Sequence, residues 1–133
     1  MNLQNSKIGQ VLIPVTDLDS ALTFYRDVLG IPFLFVAPPL MAFFVCGGVR
    51  LLVGVPAPGQ AQRSSGAVYF DVGDIHGVFA GLSGQGVRFA SQPHVVHRTP
   101  SSELWLAEFT DPDGNQLALM SEVSAMVAQP SAG

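Results

Sequence analysis

Charge is what this chain has least of. Asp, Glu, Lys and Arg make up 12% of its 133 residues, against roughly 25% in an ordinary soluble domain. Only six Lys and Arg stand against ten Asp and Glu, for a net charge of −4. No basic stripe can form from so few cations, which excludes the electrostatic footprint of a nucleic-acid binder. Cysteine is nearly absent too. Cys46 stands alone, so no intrachain disulfide can staple the fold, and in its apolar run it reads as a small core residue rather than a nucleophile. No apolar run reaches the roughly 18 residues that span a bilayer. The opening M-N-L-Q-N-S-K lacks the charged start and apolar centre of a secretory signal, so a cytoplasmic location is expected, with no membrane partner. Hydrocarbon, by contrast, is plentiful, at 48% hydrophobic residues. Apolar surface in such excess over charge suits a partner subunit or a ligand cavity, and a homodimer is the expected assembly.

The chain is organised around residues 103–120, E-L-W-L-A-E-F-T-D-P-D-G-N-Q-L-A-L-M. Pro112 presets φ for the first central turn position, and Asp113, Gly114 and Asn115 tolerate the left-handed region, so the chain reverses at D-P-D-G-N. Both arms are apolar on both faces, as in a sheet covered on its two sides rather than one with a wet face. Glu108 is the exception, a carboxylate inside an apolar arm.

Taken in order, residues 8–15 read as a strand, with Pro14 restricting its end to an edge or exit position. Asp17 is placed to cap a helix whose apolar stripe is Leu18, Ala21, Leu22, Tyr25, Val28 and Leu29, and Gly30 is its stop. Residues 31–37, 40–46 and 49–55 follow as short strands, broken by Pro38-Pro39 and Gly47-Gly48. Residues 56–66 have linker composition. Across them the pattern restarts: a strand from residue 67, Asp74 as a second cap, a glycine-weakened helix, then strands at 87–90 and 93–98 and the hairpin. V-x-D-[LI] occurs at Val15-Thr16-Asp17-Leu18 and again at Val72-Gly73-Asp74-Ile75, and an internal repeat of one supersecondary unit is the economical reading. The expected fold class is therefore α+β, two βαβββ modules at 8–55 and 67–122, with a tail at 123–133 expected to fray.

The motif V-x-D-L-x-x-A-x-x-F-Y-x-x-x-L-G over residues 15–30 precedes D-P-D-G-N before the last strand. Together they resemble the vicinal oxygen chelate superfamily, which includes glyoxalase I, bleomycin-resistance proteins, fosfomycin-resistance enzymes and extradiol dioxygenases. The resemblance covers residues 8–122 and implies two modules curling their sheets around a shared cavity. In metal-dependent relatives each module supplies two ligands, from its first and last strands, and these must be His, Glu or Gln to offer a lone pair. The motifs place those positions at Gln10, Leu52, Ala67 and Ala118. Gln10 could ligate. Leu52, Ala67 and Ala118 could not, so the expectation is a chain with no metal and no cofactor. Of the imidazoles, His76 is expected to be exposed after the second cap, and His94 and His97 are expected on opposite faces of one strand.

If the matched positions face the cavity, strand parity adds Leu12, Phe44, Arg50, Tyr69, Leu104, Leu106, Glu108, Gln116 and Met120 to that face, and sends Trp105, Phe109, Leu117 and Leu119 under the helices. Apolar walls with a few hydrogen-bonding groups suit a small-molecule ligand. The expected ligand-binding set is Gln10, Leu12, Phe44, Arg50, Leu52, Ala67, Tyr69, Leu106, Glu108, Ala118 and Met120. Relatives often place a ligand-contacting side chain at the position of Glu108, and a carboxylate among Leu106, Tyr69 and Met120 is a candidate general base or acid. Its structural alternative is a pair with an arginine such as Arg50. Two functions remain open: a metal-free binder of an apolar or aromatic ligand, resembling the bleomycin-resistance branch, and a glyoxalase-like lyase or isomerase using Glu108 or a metal.

Overall fold

Two aspartates start the two helices. Asp17, with an extended backbone, accepts from the Ser20 N–H at 3.1 Å, and Asp74 accepts from the Gly77 N–H at 3.0 Å, each satisfying one of the donors a helix start leaves without an intrahelical acceptor. The computed structural model describes residues 1–56 and 66–124. The expected linker core and the end of the expected tail lie outside the described residues. The chain divides into two units, Met1–Ser64 and Ser65–Gly133.

In the first unit, β1 (Gln10–Pro14) leads into α1 (Leu18–Leu22), which continues as a π-helical turn over Thr23–Val28, followed by β2 (Phe33–Ala37), β3 (Met41–Cys46) and β4 (Val49–Gly54). The sheet order is β1-β4-β3-β2. β1 runs parallel to β4 and the other pairs are antiparallel, so α1 serves as the crossover that a parallel pair needs. β1 is an edge strand ending in Pro14, where the missing N–H costs the ladder nothing. Gly47 and Gly48, at φ +56 and +85, join β3 to β4. A two-residue loop with both φ values positive matches the twist of the strands it joins and sets their register.

The helix departs from the expected stripe. The Leu29 N–H donates to the Phe24 carbonyl at 2.8 Å, an i→i+5 bond that widens the turn. The buried face then takes in both Phe24 and Tyr25 beside Leu18 and Ala21, while Leu22, Val28 and Leu29 are only half-buried. α1 packs on β3 and β4. The core it covers includes Ile13, Ala42, Phe44, Leu51 and Val53, and each fully buried large side chain there contributes roughly 1.5–3 kcal/mol relative to exposure.

In the second unit, β5 (Ala67–Asp71), α2 (Ile75–Gly84), β6 (His94–Arg98), β7 (Ser102–Thr110) and β8 (Gln116–Ser124) repeat the plan in the order β5-β8-β7-β6, again with the first strand parallel to the last. The strand expected at 87–90 is a single bridge between Phe89 and Phe109, with the Ala90 N–H donating to the Glu108 carbonyl at 2.7 Å. That leaves three strands after the helix, as in the first unit. α2 covers β7 and β8 over Ala107, Phe109, Leu117 and Leu119. The turn between β7 and β8 is built on Asp111, whose carboxylate accepts from the Asp113 N–H (2.9 Å), the Asn115 N–H (2.8 Å) and Asn115 Nδ2 (2.8 Å). Only Gly114 takes the left-handed conformation, at φ +85. Both units are thus α+β, each with one sheet face under a helix.

Candidate functional site

The face of each sheet turned away from its helix carries the candidate residues. In the first unit, Gln10 pairs with Arg50 and Leu12 with Leu52. Cross-strand partners share a face, so all four stand on the open side, as parity along β1 and β4 requires. Phe44 does not join them. It pairs with Leu51, is 0% exposed, and lies 6.2 Å from the Tyr25 ring, centroid to centroid. The Gly47-Gly48 loop sets Cys46 opposite Val49, so Phe43, not Phe44, falls opposite Leu52. Phe43 was missed from the sequence, although that loop carries the register. A bulge between Phe33 and Phe35 then brings Phe35 opposite Phe43, the two rings stacked 4.6 Å apart at 15°. The Arg50 guanidinium lies over Phe43, 5.7 Å from its centroid.

In the second unit, Ala118 sits between Tyr69 on β5 and Glu108 on β7, and Met120 between Asp71 and Leu106. Ala67 pairs with Gln116, which also faces Thr110. Leu106, Leu104 and Met120 are half-buried on this face, Ala118 is 1% exposed and Tyr69 is 50% exposed. The register thus sets a methyl group between a phenol-bearing and a carboxylate-bearing position. Glu108 is exposed, rather than enclosed by apolar neighbours as expected. Its backbone is pinned, the N–H donating to Ser91 Oγ at 3.1 Å, while its carboxylate forms no ion pair among the described residues. A bulge in β6 between Val95 and His97 places His94 opposite Leu106 and His97 opposite Leu104. Both imidazoles therefore belong to the open face, correcting the expectation of opposite faces, because the extra residue reverses the alternation.

Trp105 is not plain core. It is half-buried, meets His76 edge-on at 4.9 Å, and its Nε1 donates to Glu103 Oε1 at 3.2 Å. With Ile75, Ser121 and Val123 it lines a hollow of about 200 Å³ at the start of α2. No sequence pattern marked it.

A model of the Glyoxalase/Bleomycin resistance protein/Dioxygenase superfamily matches residues 7–119. The chain belongs to that superfamily. Among solved superfamily structures, a lactoylglutathione lyase from Agrobacterium tumefaciens is 25% identical and superposes with a TM-score of 0.69, covering 89% of this chain and 95% of that one. A superfamily member from Sphaerobacter thermophilus is 26% identical at a TM-score of 0.69, covering 87% and 97%. An integron cassette protein from the V. cholerae mobile metagenome shares the fold, with a TM-score of 0.74 at 17% identity over 91% and 98% of the two chains. No curated protein matches the chain.

The positions that the family resemblance assigns to metal ligands can be located on the strands. Gln10, Leu52, Ala67 and Ala118 lie on the first and last strands of the two units, and three of these four side chains are hydrocarbon. They do not fit a chelated divalent ion, which needs nitrogen or oxygen donors at about 2 Å. Among the described residues no three His, Cys, Asp or Glu gather as an ion site elsewhere, and no helix is long and apolar enough to cross a membrane.

Proposed function

We propose that this superfamily member is a metal-free small-molecule binding protein, nearest in character to bleomycin-resistance proteins, that takes an apolar or aromatic ligand on the open faces of its sheets. What supports the reading is that hydrocarbon side chains, Leu52, Ala67 and Ala118, stand where the family resemblance would put metal ligands. Apolar walls with Gln10, Arg50, Tyr69 and Glu108 as scattered polar groups suit affinity by burial and orientation by hydrogen bonds. In this reading Leu12, Leu106 and Met120 are wall residues, and Phe43 takes the part expected of Phe44. The binder acts as a cytoplasmic homodimer. Exposed Leu34 and Val36 on β2 support the pairing, and a lone thiol asks for no oxidising compartment. Elemental analysis of protein purified without chelator tests the first point: below about a tenth of an equivalent of any divalent metal is expected, and one equivalent per chain overturns it. An unbiased thermal-shift screen then identifies binders through the stabilisation that ligation confers.

A second reading, a lyase or isomerase, is favoured by the exposed carboxylate of Glu108 beside Ala118, which forms no ion pair among the described residues, and by the likeness to the lactoylglutathione lyase. Turnover of lactoylglutathione that falls at least a hundredfold in Glu108→Gln would establish it. Turnover absent, or unchanged by the substitution, removes Glu108 as a general base.

A further inference from the structure

We infer that the ligand of the first unit is a flat aromatic acid, its ring on the Phe35 and Phe43 ledge and its carboxylate on Arg50. This rests on the reading of the open face as a binding surface and names the chemistry that surface selects.

Among the described strand residues of that face Arg50 is the one charged side chain, its row and the next carrying Gln10, Val45, Leu12, Leu52 and Phe43. The carboxylates of the unit, Asp17, Asp19 and Asp27, all belong to the helical segment on the other side of the sheet, and Asp27 already holds Arg26 at 2.9 Å. No carboxylate among the described residues pairs with Arg50. A cation on an apolar surface without a counter-charge selects an anion, because the ligand supplies the charge the face lacks.

The geometry narrows the anion further. A guanidinium carries its N–H groups in its own plane, as a fork that matches the two oxygens of a carboxylate. Gln10 stands directly across from Arg50 on β1, so an amide donor adjoins the fork. On the other side Phe43 and Phe35 form a flat step, stacked at 15°, with Phe35 48% exposed. A planar ring can extend that stack, and Leu12 lies open on the same face, across β4. An uncompensated cation and an aromatic pair therefore share one face of the sheet.

The test uses 2-naphthoate and its neutral isostere 2-naphthamide, titrated calorimetrically and by amide NMR into the full chain and into Arg50→Met and Arg50→Lys. Arg50 is exposed, so both variants should fold, and circular dichroism checks that they do. Wild type should prefer the acid by about tenfold to a hundredfold, the worth of charge-assisted hydrogen bonds. Arg50→Met should erase that preference. Arg50→Lys should keep part of it, since a point charge remains without the fork. Equal affinities in wild type, or a preference that survives in Arg50→Met, overturn the inference while leaving a binding face intact. Neither probe shifting the amides of β1, β3 and β4 at millimolar concentration overturns both the inference and the binding reading for this unit.

Discussion

Replacing Asp111 with alanine should be among the most damaging single changes in the second unit, although it removes only one exposed-looking turn aspartate from D-P-D-G-N. Its carboxylate is the acceptor for the Asp113 N–H, the Asn115 N–H and Asn115 Nδ2 at 2.8–2.9 Å, and both Asp111 and Asn115 are buried, at 4% and 3% exposure. Alanine deprives three donors of that acceptor, two of them on a buried residue. A hydrogen bond to a charged group is worth roughly 1.5–3 kcal/mol, and a buried donor that loses its acceptor bears most of its desolvation cost. Solvent reaches the part-buried Asp113 amide, and bonds within one turn are not additive, so the loss should be about 3–4 kcal/mol. That corresponds to a fall in Tm of about 10 °C. Pro112→Ala in the same turn removes only a preset φ and should cost under about 1 kcal/mol. Urea denaturation followed by fluorescence of Trp105, which lies on β7 and is the only tryptophan, reads this unit directly. If Asp111→Ala costs no more than Pro112→Ala, the carboxylate does not hold the turn and the reasoning fails.

Three further outcomes follow from the same geometry. Phe44→Ala should lose about 3–5 kcal/mol by leaving a cavity against Tyr25, whereas Phe43→Ala, on the open face, should cost less than about half as much and instead abolish aromatic binding; urea melts and ligand titration on both variants separate the two. Gly114→Ala should cost about 1 kcal/mol or more, because φ +85 strains any side chain, and the same fluorescence melt reports it. Hydrogen bonds from the Ser20 side chain and then its N–H hold the Asp17 carboxyl below the usual 3.8, so the stabilisation it lends α1 is complete above 3.8 and fades as pH falls through the lowered folded value. Carboxyl-detected NMR should show a midpoint under 3.8 for Asp17, and a midpoint at or above 3.8 contradicts the cap.

Much of the fold can be read from side chains whose effect is local. Asp17 and Asp74 mark helix starts because a short oxygen-bearing side chain can reach the N–H groups of the first turn, and Gly47-Gly48 and D-P-D-G-N mark reversals because few residues tolerate their backbone angles. The face assignments are less legible, since alternation carries only as far as the strand stays regular. Bulges at Phe33/Phe35 and Val95/His97 insert residues that no local signal announces, and they decide where Phe35, His94 and His97 point. The wide turn that buries Phe24 beside Tyr25 is equally silent in the sequence, because the gain lies in how two rings pack at 5.2 Å and not in helix propensity. Phe44 is different: the two-residue loop between β3 and β4 fixes its partner, so its burial follows from the loop once pairing is counted back from the turn.

The parallel pairing of β1 with β4, and of β5 with β8, ties the beginning of each unit to its end. During synthesis β1 leaves the ribosome with no hydrogen-bonding partner until β4 has followed it, and β5 waits likewise for β8. Between those moments the intervening antiparallel strands can form their hairpins alone, so the last step in each half is the arrival of its oldest strand at its newest. Because residues 10–54 contain every strand of the first sheet, its ladder draws on no strand of the other half, and a nascent chain stalled far enough downstream for residue 54 to have left the ribosome should already protect its first-strand amides from exchange.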